Sequence, residues 1–305
     1  MKIMQKLIMS VVVFGIMGSA YAANYSLIQD TGTSAKTIGL ANIEGFSEVA
    51  SSIFENPASL YRSKKGSISF FTTSVMGEMN FNNVAISTRL PIGTVAFGYY
   101  EAVNLNQMST ALDVNNEVNP VSYFDYKQSL MKIAYQYSMN SKWHFGAALT
   151  RYQSHFDTFL ASGMDGEVGL NYVDGPYSIS AQLKNILASK IVSNEGTSET
   201  LPRQILLGGS YKVVDEVNVL GQVKSTQGKM LYSMATDYAP QYAPQFHLRM
   251  GYKQALTTSS EAPIKGSLSL GVGLEANGVH FDYAFEKSEY IANDNKHYMS
   301  FDVDF

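Results

Sequence analysis

The last ten residues, Lys296 to Phe305 (KHYMSFDVDF), decide how the rest of the chain is read. Successive side chains on a strand point to opposite faces, so residues two apart share a side. His297, Met299, Phe301, Val303 and Phe305 then form one face, and Tyr298, Ser300, Asp302 and Asp304 form the other. A helical period would scatter both sets. The same period runs upstream. Val279, Phe281, Tyr283 and Phe285 oppose His280, Asp282, Ala284 and Glu286; Leu268, Leu270, Val272 and Leu274 oppose serines, glycines and Glu275. It continues through Phe246–Tyr252, Tyr177–Lys184, Phe145–Leu149, Met131–Tyr137 and Val95–Tyr99.

Alternation alone fits two architectures. A β-sandwich turns its apolar faces into a core. A transmembrane barrel turns them to lipid and lines its bore with polar or small residues. Strand number and length favour the barrel. Fourteen segments start near residues 66, 80, 93, 123, 142, 164, 176, 203, 217, 230, 245, 265, 278 and 296. Most run about 9–12 residues, enough for a tilted strand to cross a bilayer.

The connections agree, because every second one is short: Pro91-Ile92-Gly93, Met139–Lys142, Asp174-Gly175-Pro176, Val214-Asp215-Glu216, Ala239–Gln245 and Ala276-Asn277-Gly278. Asp-Gly and Asn-Gly are favoured hairpin chemistry. The others include long loops over Asn104–Ser122, Ser154–Gly163 and Leu187–Pro202. The eight prolines are expected outside strand interiors, since proline cannot donate to a ladder. The fold expected is all-β: a 14-stranded antiparallel transmembrane barrel over 64–305 with a short N-terminal helical plug. A soluble secreted β-protein is the competing expectation, and heat-modifiable gel migration separates the two.

Composition narrows the function classes. The 305 residues are 45% hydrophobic, 16% charged and 12% aromatic, with no cysteine and a formal charge of −4. Disulfide scaffolds, thiolate metal sites and cysteine nucleophiles are excluded. Nucleic acid is not an expected partner of a chain with that charge. Residues 1–22 read as a signal peptide: Lys2 and Lys6, an apolar run over Leu7–Gly18, and an Ala20-Tyr21-Ala22 cleavage pattern. The expected destination is the outer membrane of a Gram-negative bacterium, with the protein a monomer.

Residues 23–63 do not alternate. Ser47–Phe54 is expected as a helix, with Ser47 as N-cap and Val49, Ile53 and Phe54 on one side. Asn56-Pro57 ends it, and a second short helix starts at Pro57. This stretch is expected to plug the lumen, with Phe46, Ile53 and Phe54 as its apolar contacts; an arm lying outside the barrel is the alternative. Small residues around Gly39-Leu40, a short helix, and then Asn56-Pro57-Ala58 followed by a Leu resemble the N-terminal hatch of the FadL/OmpP1/TodX transporters and the related PorV/PorQ family. Two later stretches resemble PorV/PorQ. One holds Leu183-Lys184-Asn185-Ile186, Leu201-Pro202 and Gly208-Gly209-Ser210-Tyr211. The other holds Arg249-Met250-Gly251-Tyr252, Gly271-Val272-Gly273-Leu274 and Asp282-Tyr283-Ala284-Phe285. The resemblance implies a monomeric 14-stranded outer-membrane barrel. A C-terminal strand ending in an aromatic resembles the assembly signal of such barrels. Met299, Phe301, Val303 and Phe305 would carry it to the barrel-assembly machinery.

No motif supplies catalysis, a metal site or a cofactor, and no enzyme activity is expected. The five histidines form neither H-x-x-x-H nor H-E-x-x-H. Lys184, His247, Arg249, His280, Asp282 and Glu286 are the polar candidates for the lumen, as ion pairs holding the plug or as ligand contacts. The leading expectation is passive transport of small hydrophobic molecules, with Gly208-Gly209 and Gly271 with Gly273 as places where a kink could open a side gap. The alternative is a PorV-like role in type IX-like secretion, holding a secreted protein at the outer loops.

Overall fold

The computed structural model describes residue 28 and residues 31–75, 77–112, 117–256, 264–287 and 295–305. The expected signal peptide and Pro263 lie outside these. The helical elements are α1 (Ala35–Gly39), α2 (Ser52–Glu55) and a 3-10 helix (Pro57–Arg62). The strands that follow are β1 (Gly66–Val75), β2 (Met79–Leu90), β3 (Gly93–Leu112), β4 (Val118–Ser138), β5 (Trp143–Phe156), β6 (Phe159–Asp174), β7 (Tyr177–Lys184), β8 (Lys190–Ser193), β9 (Ser198–Thr200), β10 (Gln204–Val214), β11 (Val217–Thr226), β12 (Lys229–Tyr238), β13 (Phe246–Leu256), β14 (Ile264–Ala276), β15 (Val279–Glu286) and β16 (Lys296–Asp304). Among the described residues no helix is long and apolar enough to cross a membrane.

Every strand pairs antiparallel with its neighbours, and the ring closes where β1 meets β16. The small β8–β9 hairpin hangs from β6 through Ala161–Ser193 and Ser162–Val192. The wall is therefore a closed 14-stranded antiparallel barrel. Closure leaves no edge strand in the wall, which a sheet bathed in lipid requires. At the seam Gly66 and Phe305 exchange backbone bonds of 2.8 and 2.9 Å. The start of β1, the C-terminal Phe305 and the turns between β2 and β3, β4 and β5, β6 and β7, β10 and β11, β12 and β13, and β14 and β15 mark one rim, the near rim. The β3–β4 and β8–β9 hairpins mark the far rim.

The faces are inside-out relative to a soluble sheet. Phe70, Ile86, Phe97, Ile133, Leu149, Leu207, Met250, Leu270 and Phe301 point outward and are exposed. Ser67, Ser69, Ser87, Thr150, Asn171, Ser180 and Ser300 point inward and are buried. Two stacked layers would have reversed that assignment.

Strand starts fall close to the expected positions, with differences at the far rim. The loops expected over 104–122 and 154–163 are mostly strand: β3 and β4 continue upward as one long hairpin, and β5 turns into β6 through Asp157-Thr158 alone. Pro120 lies inside β4, against the expectation for prolines. It sits opposite Thr110, beside a register shift between Ser109 and Thr110, where the ladder already lacks a bond. The 187–202 connection holds β8 and β9 rather than an open loop.

Candidate functional site: a bore filled by the N-terminal segment

Residues 32–63 lie within the bore, where they meet inward side chains of strands all round the ring. Irregular backbone needs partners for its N–H and C=O groups, and the wall supplies them with small hydroxyls and amides. Ser300 Oγ accepts from Ala35 N at 2.7 Å, Ser67 Oγ from Ala50 N at 3.0 Å, and Ser69 Oγ from Ser51 N at 3.0 Å. Asn83 donates to the Thr33 carbonyl at 2.7 Å, and Tyr100 donates to the Gly32 carbonyl at 2.7 Å.

Shape is matched by glycine. Inward glycines on β3, β5, β6, β13 and β14 sit where this segment presses hardest on the wall. A Cβ on Gly146 would lie 2.2 Å from Ala58 N and 2.3 Å from the Pro57 carbonyl carbon. On Gly251 it would meet Ala41, on Gly98 the Phe54 ring, and on Gly271 the Cα of Gly39 at 3.1 Å. The ladder runs unbroken through Gly208-Gly209 and through Gly271 and Gly273. These glycines give clearance to side chains and to the plug; they do not open the wall, which corrects the expectation of a side gap there.

The Asn56-Pro57-Ala58 stretch sits at the centre of this seat. Asn56 Oδ1 accepts from Ala58 N at 2.9 Å and caps the 3-10 helix, with Pro57 in its first turn. Its amide Nδ2 donates to Ser180 Oγ at 2.8 Å and to the Ala181 carbonyl at 3.2 Å. A Cβ on Gly169 would meet Asn56 Oδ1 at 1.8 Å. Asn171 adds a bond to Ser59 Oγ at 2.8 Å.

The preceding helix is shorter than expected: α2 spans only Ser52–Glu55, and its N-cap is Ser51 rather than Ser47. Ser47 is recruited elsewhere, because its hydroxyl donates to Glu55 Oε1 at 2.6 Å. Glu55 also accepts from Thr37 Oγ1 at 2.5 Å and Gly45 N at 3.3 Å. One fully buried carboxyl thus ties α1, the Gly45 turn and α2 together. Burial pushes its pKa up, against the pull of the Ser47 and Thr37 hydroxyls and the Gly45 N–H. Gly45 has φ +96°, and a Cβ there would also strike Ser180 Oγ at 2.0 Å, so glycine is required twice over.

The expected apolar contacts are all buried, in two groups. Phe46 packs with Leu40, Ile43, Leu220 and Ala235. Ile53 and Phe54 join a larger cluster, where the Phe54 and Tyr100 rings meet edge to face at 5.9 Å. That cluster continues up the far half of the bore along β16 and β1–β6, through Phe71, Phe81, Leu130, Tyr152, Phe159 and Tyr298, to Ile191 and Leu201 at the β8–β9 hairpin. This side of the bore is apolar, which departs from the expectation of a polar lumen throughout.

The expected lumen charges all lie inward and all pair. Arg249 binds Asp282 and lies 3.5 Å from Asp237. His247 Nδ1 lies 3.0 Å from Asp237, and His280 Nε2 3.3 Å from Asp304. Glu286 accepts from Lys253 at 2.7 Å, and Lys184 reaches across to Glu44 of the N-terminal segment. Sequence reasoning put Arg249 and Asp282 on the inward face but did not pair them. It missed Asp237, Lys253, Glu44, Glu55 and the buried Lys132–Glu167 pair at 2.8 Å. The strand alternation carried a signal for Lys132, since Met131 and Ile133 both point outward. Met299, Phe301 and Phe305 are exposed on the outward face, with Val303 half-buried beside them.

Fold and bore together define a class: a closed barrel whose lumen is occupied by its own N-terminal segment. Solved barrel structures are similar in fold to this chain. The Pseudomonas putida toluene transporter TodX matches with a TM-score of 0.64 at 12% identity, covering 90% of this chain and 99% of that one. The monoaromatic hydrocarbon channel CymD gives 0.63 at 12% identity over 90% and 98%. A Pseudomonas aeruginosa FadL homologue gives 0.56 at 10% identity over 90% and 98%. These structures are channels and transporters, not enzymes. By sequence, no family model and no curated protein matches the chain.

Proposed function

We propose that this protein is a FadL/TodX-like barrel of a Gram-negative outer membrane that passes small hydrophobic molecules passively, with residues 23–63 as its plug. The observation that carries this reading is the apolar run inside the far half of the bore, Phe71, Phe81, Tyr100, Leu130 and Tyr152. A barrel built to conduct water and polar solutes lines its lumen with polar groups. Aromatic and aliphatic side chains facing inward instead offer a hydrophobic molecule a surface that water does not contest. The similar channels for toluene and monoaromatic hydrocarbons support the same reading. Passage then needs the plug to shift, because Phe54 and Tyr100 close the lower end of this run.

Liposomes carrying the protein should take up a hydrophobic fluorescent probe faster than empty liposomes and faster than liposomes carrying a Tyr100→Arg variant. Equal rates in all three would remove the proposal.

One observation favours the secretion-linked reading, in which a PorV/PorQ-like barrel holds a secreted protein at its outer loops. The β3–β4 hairpin at the far rim exposes Leu105, Met108, Val118, Val121 and Tyr123. A photo-crosslinker at Val121 that traps a secreted protein in native cells would support it over transport. In either reading the outward Met299, Phe301, Val303 and Phe305 form the assembly signal, and replacing Phe305 should lower the amount of barrel reaching the membrane.

A further inference from the structure

The two sides of the bore are lined differently. Against β16 and β1–β6 the lining is apolar and filled. Against β10–β13 it is hollow and hydrophilic. A recess of about 130 Å³ runs there from Ala41, Asn42 and Glu44 of the plug up to Gln227 in the β11–β12 turn and Leu256 at the end of β13. Gln204, Gln222, Thr226, Ser233 and Lys253 line its wall. The plug is its floor, since Gln222 donates to the Glu44 carbonyl at 3.2 Å.

Strand register shows what lies beneath. Gln222 faces Ser233, which faces Lys253. Two residues closer to the near rim, Leu220 faces Ala235, which faces Gly251. Two further on, Asn218 faces Asp237, which faces Arg249. Facing residues of paired strands share a side, so these are three successive rows on the inner wall: polar, apolar, polar. The plug presses on the middle row. Leu40, Ile43 and Phe46 pack on Leu220 and Ala235, and a Cβ on Gly251 would lie 2.7 Å from the Cβ of Ala41. Charges on either side of it are matched: Lys253 with Glu286 above, Arg249 with Asp282 and His247 with Asp237 below. Asp237 and His247 are partly exposed.

We propose that this side of the bore is a second path, for small uncharged hydrophilic solutes, with Leu220, Ala235, Leu40, Ile43 and Phe46 as its hydrophobic gate, shut in this structure. Amides and hydroxyls around a roomy recess hold water and molecules that bond like water, and they offer a hydrocarbon nothing. Matched charges give an ion no net attraction. The apolar row is one row of side chains thick. A solute crossing it sheds its hydrogen bonds, and an apolar constriction of this kind closes by excluding water. The path is separate from the apolar run beside it and does not depend on the hydrophobic-transport reading.

The test uses the full chain in liposomes, with urea entry followed by osmotic swelling and uptake of a hydrophobic fluorescent probe followed in parallel. Wild type should admit urea less than about twofold faster than empty liposomes. Leu220→Asn keeps the size of the side chain and gives the solute a partner at the barrier. It should speed urea entry by about tenfold and change probe uptake by less than about twofold. Leu220→Met, also of similar size but apolar, should leave urea entry at the wild-type rate. Heat-modifiable migration checks that each variant folds. Ala235→Ser is the milder change in the same row and should speed urea entry by about threefold, so it decides the matter if Leu220→Asn does not fold. Four results overturn the proposal: urea entry through wild type as fast as through Leu220→Asn, no acceleration in a folded polar variant, equal acceleration by Leu220→Met, or a matching rise in probe uptake, which marks a loosened plug. None of them touches hydrophobic transport, which the probe reads by itself.

Discussion

Replacing Gly146 with alanine tests whether the wall is shaped around the N-terminal segment. The added methyl would lie 2.2 Å from Ala58 N and 2.3 Å from the Pro57 carbonyl carbon. Both are main-chain atoms, so no side-chain rotation relieves the contact. Either the 3-10 helix lifts away from β5 or β5 bends outward, and β5 is held by full ladders to β4 and β6. The helix is the softer partner, fixed at this point by the Asn56 cap and the Asn171–Ser59 bond. Overpacking of this kind costs about 1–3 kcal/mol. That corresponds to roughly fivefold to 150-fold more frequent opening of the segment, since about 1.4 kcal/mol is a factor of ten. Hydrogen exchange of residues 32–63 in the detergent-solubilised barrel reads this directly, while exchange in the strands reports the wall. Gly221→Ala is the matched control, because its nearest atom would be Ser233 O at 3.8 Å. Faster exchange confined to the segment in Gly146→Ala, with Gly221→Ala unchanged, is the expected result. Equal behaviour of the two variants would refute the seat.

Asn56→Ala removes the cap and strands the Ser180 and Ala181 contacts; it should destabilise the plug by about 1–3 kcal/mol, seen as new proteolytic cleavage between residues 32 and 63 with the barrel intact. Glu55 has a pKa raised by burial, so its contribution to holding the plug is greatest in acid and falls as pH rises through the folded value. Exchange of the plug, corrected for intrinsic rate, should therefore rise with pH in wild type and flatten in Glu55→Gln; a pH slope unchanged by the substitution would remove Glu55 as its source. On the outward face, Ile133→Arg should cost about 2–4 kcal/mol in lipid, measured by urea-induced unfolding in vesicles, whereas the same protein in detergent should lose much less. Similar losses in both would argue against lipid around β4.

The wall was legible because its rule is local. In Tyr298-Met299-Ser300-Phe301-Asp302 each residue's face follows from its neighbour's, and turns such as Asn277-Gly278 announce themselves by the backbone angles they permit. Local rules gave out at the far rim. Residues 104–112 and 118–122 are polar enough to read as loop, and they pair only because β3 and β4 continue a ladder begun far below. The helices were also misjudged in detail, since Ser47 looks like a cap until Glu55 is seen to claim its hydroxyl.

The sequence alone determined the barrel: alternation fixes which half of every strand must leave water, and the number and length of the strands, with every second connection short, choose a closed wall over two stacked layers. It also placed Arg249, Asp282 and Glu286 inside. Tertiary structure alone decided what the bore contains. That Gly146 faces Ala58, that Asn56 reaches Ser180, and that Lys184 finds Glu44 are contacts between residues some 90 to 140 positions apart. Phe70 and Phe71 make the same point: adjacent and chemically identical, they point one out of the barrel and one into its bore. Periodicity assigns each a side, and only the closed ring shows that the inner one meets Tyr100 and Tyr298 rather than water.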